Sequence, residues 1–524
     1  MRSWLFLWAA LAAVAIGTRP LLPPHETRLL SVAWEMWQRG NFLVPLSNGV
    51  PYPEKPPLLF WMVHAGWAIF GVGDLWARLL PFLCGAATLW VSGRIAANLW
   101  PDLPRAGEFV PWVLLGCGIW VLLGGVIMTD GLLVACVSFS VSGLSVAYRG
   151  RRSAGFLLSG VALGLGILAK GPVAFVPVLP LALLLAPREG RGAWLAGVGL
   201  VVLVASSLAL AWALPAARAG GERYANAILW AQTAGRIRDS FAHAHPWWWY
   251  LPRLPVLLLP LVFWPRAWRA ARACLRNPDP PARALAASVV LVVATFSLVE
   301  GKQLHYVLPV VLPVALLLAR GLGLLEQERA GESFFLVFPL LVGVAGAALP
   351  FAGSWWKALG GSEVRFLEWM HGAPVWPGIV LGAAAAALLC LRSPLDTAAA
   401  VRLVGIATVV ALLLAHLEAR SLLRERYDLT PVAGFLKRAE LSGRRVGHYG
   451  YYRGQFHFLG RLERPLDVVL PSEEAAWFAR YPDGLLVAYE KRKPRSGRFR
   501  IEFRHPYRGE AVLLVSRDGR RSPP

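Results

Sequence analysis

The sequence predicts a polytopic α-helical membrane protein that carries a small soluble α/β domain at its C-terminal end. Three observations predict it. Of the 524 residues, 56% are hydrophobic and only 16% are charged, against about 25% charged in soluble domains. Uncharged stretches such as Gly197–Leu214 and Phe334–Phe351 are long enough to cross a bilayer. After Leu417 the composition changes: residues 418–524 hold 22 Lys and Arg against 13 Asp and Glu, a net of +9, with no span-length run. A soluble multidomain enzyme, a disordered chain and a disulfide scaffold are excluded. The 24 Trp and 40 Pro suit this class, because Trp gathers at bilayer interfaces and Pro is tolerated in membrane helices.

Trp4–Gly17 is the first apolar run. It reads as a retained first helix, although its short core is also compatible with a signal peptide. A polar-aromatic stretch, residues 18–57, follows, in which Leu29–Gln38 predicts a short amphipathic helix on the membrane. Leu58–Phe70 is apolar but short, and is expected to lie along the interface or re-enter. Further spans are expected near 76–98, 109–127, 131–147, 154–168, 172–186, 193–214, 251–264, 284–299, 307–323, 334–351, 376–391 and 401–417. With the first, they make about thirteen. Residues 1–417 are therefore expected to form a membrane domain and 418–524 a separate α/β domain. In the latter, Arg445–Tyr449, Leu466–Leu470, Leu485–Tyr489, Phe499–Phe503 and Ala511–Ser516 read as strands between Gly, Pro and Asp turns. Asp518–Pro524 is expected to fray.

The net charge of +22 would suggest nucleic acid in a soluble protein. Here much of it sits in short loops: Arg149–Arg152, Arg188–Arg191 and Arg266–Arg283. The positive-inside rule makes these loops cytoplasmic. No nucleic-acid motif accompanies them. The five Cys (Cys84, Cys117, Cys136, Cys274, Cys390) lie in or beside apolar runs without a CxxC pair, so they read as packing residues.

Counting spans from the basic loops puts the N-terminus inside and gathers the remaining ionisable residues outside. His25-Glu26, Glu54-Lys55, Asp130, Lys170, His243, His245, Lys302 and Tyr306 all fall on that face. They come from five distant segments, so one constructed site is the simpler explanation. Pro56-Pro57 fixes the backbone directly after Glu54-Lys55 and keeps that pair out of a helix. A Lys held there suits a phosphate. The plainer alternative is an interfacial loop with a snorkelling Lys. Asp130 reads either as a site acid or as a helix N-cap before Gly131-Leu132-Leu133.

The residue order His25-Glu26-Thr27-Arg28, Gly40-Asn41-Phe42-Leu43-Val44-Pro45, Asn48-Gly49, Tyr52-Pro53-Glu54-Lys55-Pro56-Pro57-Leu58 resembles bacterial GT-C glycosyltransferases related to protein O-mannosyltransferases. The resemblance is strongest to the aminoarabinose transferases (ArnT-like) that modify lipid A. Thr129-Asp130, Leu168–Pro172, His243–Tyr250, Lys302…Tyr306–Pro309 and the tail's Tyr449…Phe456–Phe458 extend it in the same order over nearly the whole chain.

The resemblance implies a polyprenyl-phosphate sugar donor and inverting transfer at the outer face of the bacterial inner membrane. The first-loop acid would be the base. This chain has His25 where that family has Asp, so Glu26 is the expected base, with His25 as the alternative. Asp130 would be the second loop acid. Lys55 would neutralise the donor phosphate. Lys170, Lys302, Tyr306 and Arg28 would assist it, unless the Lys residues snorkel and Tyr306 belongs to the aromatic belt. Tyr52 and Glu54 would contact substrate. Trp249 and Tyr250 would line the cavity, or anchor the interface with Trp247 and Trp248. Glu54 with His243 would hold a divalent metal such as zinc, although no local ligand spacing supports it. Expected partners are the lipid-linked donor, a lipid or protein acceptor and membrane lipids, with no nucleic acid, and the expected state is a monomer. A transporter or lipid flippase, or a non-catalytic relative, is the competing reading. No internal repeat favours the transporter. The sequence identifies neither the sugar nor the acceptor.

Overall fold

The computed structural model describes residues 3–230, 245–276, 278–326, 337–358, 374–390, 395–492, 494 and 499–517. The expected span at 334–351 falls partly, and the expected frayed end at 518–524 wholly, outside them. The chain begins with α1 (Ser3–Thr18), α2 (His25–Gln38), the ribbon β1 (Leu46–Ser47) and β2 (Val50–Pro51), and α3 (Leu58–Phe70). The bundle continues with α4 (Asp74–Leu99), α5 (Pro104–Leu115), α6 (Gly118–Leu123), α7 (Thr129–Tyr148), α8 (Arg152–Lys170), α9 (Phe175–Leu184) and α10 (Arg191–Gly220). After the Trp247–Phe263 region come α11 (Pro265–Arg276), α12 (Pro280–Leu298), α13 (Val311–Leu324), α14 (Val337–Ala358), α15 (Trp376–Cys390) and α16 (Thr397–Glu418). Among the described residues seven helices are long and apolar enough to cross a membrane. Several other expected spans are shorter apolar helices.

Two expected spans are broken. Residues 109–127 divide at Gly116-Cys117 into α5 and α6. Residues 251–264 form no continuous helix but short turns: Trp247–Arg253, Leu254–Leu257 and Leu261–Phe263. Pro252, Pro255 and Pro260 remove amide donors and clash with the preceding turn. The two breaks satisfy each other, since the Gly118 amide donates to Leu259 O at 2.7 Å. Irregular backbone within a membrane bundle is tolerated when protein supplies such partners.

The α7–α8 hairpin sets the dimensions of the bundle. Its helices meet at Gly143 and Gly155. A Cβ on Gly143 would lie 2.5 Å from Ser159 N and 2.6 Å from Gly155 O. Between membrane helices attraction is mostly van der Waals contact, so small residues set the approach. The hairpin brings Asp130, in the first turn of α7, beside Lys170, the last residue of α8. Arg149–Arg152 lies at the opposite end, about 30 Å away along α7.

The tail forms a five-stranded sheet of order β4-β3-β5-β7-β6, with β3 (Val446–Tyr449), β4 (Asp467–Val469), β5 (Leu485–Tyr489), β6 (Phe499–Tyr507) and β7 (Glu510–Arg517). The β3–β4 and β3–β5 pairs are parallel, and β7 runs antiparallel to both β5 and β6. Each strand overlaps one of the five runs expected from the alternation of residues. Through the short helix His457–Gly460 the tail packs on α2 and α3. Phe458 stacks on Trp67 with ring centroids 5.5 Å apart, and its amide donates to Ser31 Oγ at 3.0 Å.

Replacing Gly143 with Leu forces α7 and α8 apart and costs about 3 kcal/mol or more. We expect a lower unfolding temperature in detergent. A Gly131→Ala control, where a Cβ meets open space, leaves the melt unchanged.

Candidate active site

Pro23-Pro24 precedes α2 and fits the start of a helix. That start puts His25 and Glu26 in the first turn and divides their fates. Glu26 is fully buried. Its carboxylate accepts from Arg19 Nη1 at 2.6 Å and Nη2 at 3.0 Å, from the Leu22 amide at 2.7 Å and from the Ile127 amide at 2.8 Å. Arg19 Nη2 also donates to Gly125 O at 2.5 Å, and Arg78 Nη2 donates to Arg19 O at 2.6 Å. Glu26, the base expected from the sequence, is thus a strut. It ties α1, α2 and the α6–α7 link together, three residues before Asp130. Its lone pairs are already committed.

His25 is half-buried, and its Nε2 makes no hydrogen bond. Burial, together with Lys55 and Arg28 beside it, holds the imidazole below its usual range. Lys55 follows the ribbon. Asn48-Gly49 makes the tight turn there, with φ of 54° and 84°. Positive φ at both central residues is what a two-residue hairpin of this hand requires. Glu35 accepts from both turn amides at 2.6 and 2.8 Å, and Asn48 bonds Leu466 of the tail in both directions. Tyr52 Oη donates to Glu54 at 3.1 Å, and Glu54 faces Arg28 Nη1 at 3.6 Å.

Asp130 is buried and paired with Lys170. It is not the N-cap of α7, which is Met128. Lys170 Nζ lies over the Tyr306 ring at 4.6 Å from its centroid. His305, not singled out from the sequence, sits beside them with Nε2 at 4.0 Å from Asp130 Oδ1. Lys55 and His25 are close enough to act electrostatically on both Asp130 and His305. A lone His before an expected aromatic carries little signal. Only the packing of the Leu304–Val310 turn against α7 reveals it.

Other expected residues are placed elsewhere. Lys302 is buried, donating to His245 O at 2.8 Å and Val299 O at 2.6 Å. Tyr250 is fully buried, its hydroxyl donating to Gln303 O at 3.2 Å. Trp249 stacks on His245 at 4.8 Å and under Arg253 at 4.2 Å. These contacts tie the 245–253 segment to the 299–303 loop. His243 lies outside the described residues. Glu54 is already engaged by Tyr52 and Arg28, and among the described residues no group of three His, Cys, Asp or Glu is placed to hold a metal ion.

The described site is a cluster of three cations, two carboxylates and two imidazoles, drawn from α2, the first loop, α7, α8 and the Leu304–Val310 turn. Superposed on solved structures, the whole chain matches an ArnT from Cupriavidus metallidurans bound to undecaprenyl phosphate, with a TM-score of 0.76, 20% identity and coverage of 100% of this chain and 99% of that one. The fold is that of the ArnT-type GT-C membrane proteins. A more distant GT-C match is the archaeal oligosaccharyltransferase AglB from Archaeoglobus fulgidus, with a TM-score of 0.53, 10% identity and coverage of 93% and 69%. In sequence, residues 54–216 match the family described as dolichyl-phosphate-mannose-protein mannosyltransferase. The undecaprenyl phosphate-alpha-4-amino-4-deoxy-L-arabinose arabinosyl transferase of Pseudomonas paraeruginosa is 32% identical over 333 residues, 62% of this chain and 59% of that protein. Its Pseudomonas fluorescens counterpart is 30% identical over 350 residues, 63% and 60%. The chain thus matches about 60% of the length of these relatives. The seven span-length helices fit the multi-pass arrangement of the GT-C fold.

Arg19→Met strands the Glu26 charge in the interior and should cost about 3–5 kcal/mol, read as a loss of thermal stability. Adding Glu26→Gln to Arg19→Met should recover most of it. A single Arg19→Met variant with the wild-type melt would show that the pair is not a strut.

Proposed function

We propose that this chain is a membrane glycosyltransferase. It moves a sugar from a polyprenyl-phosphate donor to a hydroxyl of a lipid or protein acceptor, with inversion, at the extracytoplasmic face of a bacterial inner membrane. The active centre belongs to residues 1–417, and residues 418–524 form an extracytoplasmic α/β domain packed on the first loop. The observation that carries the reading is the convergence of Lys55, Arg28 and the Asp130–Lys170 pair around His25 at one end of α7. Charges gathered at one end, rather than at mid-depth, support a transferase over a transporter. The similarity to transferases named for undecaprenyl-phosphate donors supports the donor class.

In the reaction the acceptor oxygen bonds to the anomeric carbon as the bond from that carbon to the phosphate oxygen breaks. The electron pair leaves with the polyprenyl phosphate. Lys55 and Arg28 stabilise the charge that develops there, and Lys170 does so from across the site while it holds Asp130. The acceptor proton goes to His25 Nε2. Geometry favours His25 over Glu26, because its buried Nε2 has no hydrogen-bond partner whereas the Glu26 carboxylate already accepts four, and burial beside Lys55 and Arg28 favours the neutral imidazole. His305 and Asp130 orient the acceptor or its sugar.

His25→Ala should lower kcat/KM by about 10²–10⁴-fold without shifting the melt, and His25→Asp should restore measurable transfer. A folded Glu26→Gln with no transfer, beside a fully active His25→Ala, would assign the base to Glu26 instead. A neutral imidazole is the active form, so kcat/KM falls as pH drops through the His25 pKa. Because that pKa is lowered, the acidic limb should lie below about pH 6.5 and be absent in His25→Ala. Lys55→Ala should slow transfer by about 10²-fold, measured with a radiolabelled polyprenyl-phosphate sugar.

A further inference from the structure

The tail presents a second polar surface beside the candidate site. Its three parallel strands have the order β4-β3-β5, so the chain leaves β3 on one side for β4 and returns past it to β5 on the other. In open α/β sheets the gap at the carboxyl end of such a strand is where ligands bind. The carboxyl end of β3 leads into residues 450–455. By register, the carboxyl end of β5 and the β6–β7 turn Arg508-Gly509 lie at the same end of the sheet. That turn has φ of 51° and 79°, as a tight two-residue hairpin requires.

This end of the sheet meets the start of α2 on both sides of His25. Arg508 Nη2 donates to Pro23 O at 2.8 Å. A Cβ on Gly454 would lie 3.5 Å from Arg28 Cγ and 3.6 Å from Arg28 Cα, so the loop backbone covers Arg28. Arg453, next to Gly454, acts electrostatically on Tyr507, the neighbour of Arg508. Arg453 therefore lies between the two contacts, beside the turn that holds His25.

The loop is pinned from within. Gly450 N donates to Val469 O at 2.8 Å, and Gly450 O accepts from His448 Nδ1 at 3.0 Å. Arg453 N donates to Gln455 Oε1 at 3.0 Å, and Gln455 Nε2 donates to Tyr489 Oη at 2.7 Å. Yet Tyr451 is 73% exposed, and Arg453 is exposed with its guanidinium 6.0 Å from the centre of the Tyr451 ring. Glu510, an acid that acts on the Tyr507 ring with Arg453 and Arg508, accepts from the Lys491 amide at 3.3 Å. The patch thus keeps an excess of positive charge. Side chains held in solvent on a fixed loop are the usual carriers of recognition.

We infer that the tail supplies the acceptor subsite: Arg453, with Tyr451 and Arg508 beside it, holds an acidic group on the acceptor while the receiving hydroxyl reaches His25. The inference rests on the reading of the cluster as a transferase centre. A guanidinium meets a carboxylate or a phosphate with charge and paired N–H donors. The donor phosphate is met by Lys55 and Arg28, so the two anions of the reaction are held by different groups.

The test uses the full-length protein in detergent, with undecaprenyl phosphate present to fill the donor site. Saturation-transfer NMR reads the binding of glucose 6-phosphate, glucuronate and glucose, and inorganic phosphate is added as a competitor. We expect the acidic sugars to bind more tightly than glucose, the tighter of the two naming the acidic group. Arg453→Gln should weaken that binding about tenfold and Tyr451→Ala about threefold, with unchanged melts. Arg438→Gln, at an exposed arginine 5.4 Å from the Phe435 ring on the helix Thr430–Leu441, should leave it unchanged. Equal binding of glucose, full displacement by an equal concentration of inorganic phosphate, no loss in Arg453→Gln, or an equal loss in Arg438→Gln overturns the subsite. Transfer is read separately, from a radiolabelled polyprenyl-phosphate sugar. Transfer with no binding of the acidic sugars overturns the subsite alone, whereas binding without any transfer supports the subsite and overturns the proposed activity.

Discussion

The buried Arg19–Glu26 pair is the interaction on which the candidate site depends. One carboxylate accepts four hydrogen bonds, and through them it joins the end of α1, the first turn of α2 and the link between α6 and α7. A carboxylate sealed from solvent is costly unless every lone pair is satisfied and a cation faces it. Here both conditions hold. The consequence is geometric: His25 precedes the anchored Glu26, and Asp130 follows the anchored Ile127 by three residues. The two ends of the site are therefore set by one ion pair that has no lone pair left for chemistry.

A second constraint is the close crossing of α7 and α8. Two helices that touch through Gly143 and Gly155 have no freedom to slide without collision. Their ends meet, and the Asp130–Lys170 pair forms where they meet. The Leu304–Val310 turn then lays Tyr306 under Lys170 and His305 beside Asp130. The site has few charged groups, but each is held by packing at a distance. That arrangement suits a reaction in which charge develops on a departing phosphate, because preoriented cations need not reorganise as the bond breaks.

The C-terminal α/β tail belongs to the same construction. It seals α3 through Phe458 on Trp67, and the first loop through Asn48 with Leu466 and Arg508 donating to Pro23 O at 2.8 Å. The Asn48-Gly49 turn is thus gripped from below by Glu35 and from the side by the tail. This explains why a two-residue turn lies so close to Lys55: it fixes where the loop returns towards the membrane.

Much of this was determined by the sequence alone. Hydrophobic run length and charge depletion predict a membrane bundle because the bilayer imposes a length on every span, and alternation predicts the five tail strands. The residues of the cluster, Lys55, Asp130, Lys170 and Tyr306, were legible as ionisable or aromatic groups in otherwise apolar surroundings. Tertiary structure decided which of two adjacent residues faces the site. Neighbours on a helix point about 100° apart, so His25 and Glu26 diverge, and only the position of Arg19 shows which one is committed inward. It also decided that Lys302 and Tyr250 bond backbone carbonyls, that His305 joins Asp130, and that the Pro-rich run at 251–264 folds as turns. Those outcomes depend on partners tens or hundreds of residues away, and local composition carries no record of them.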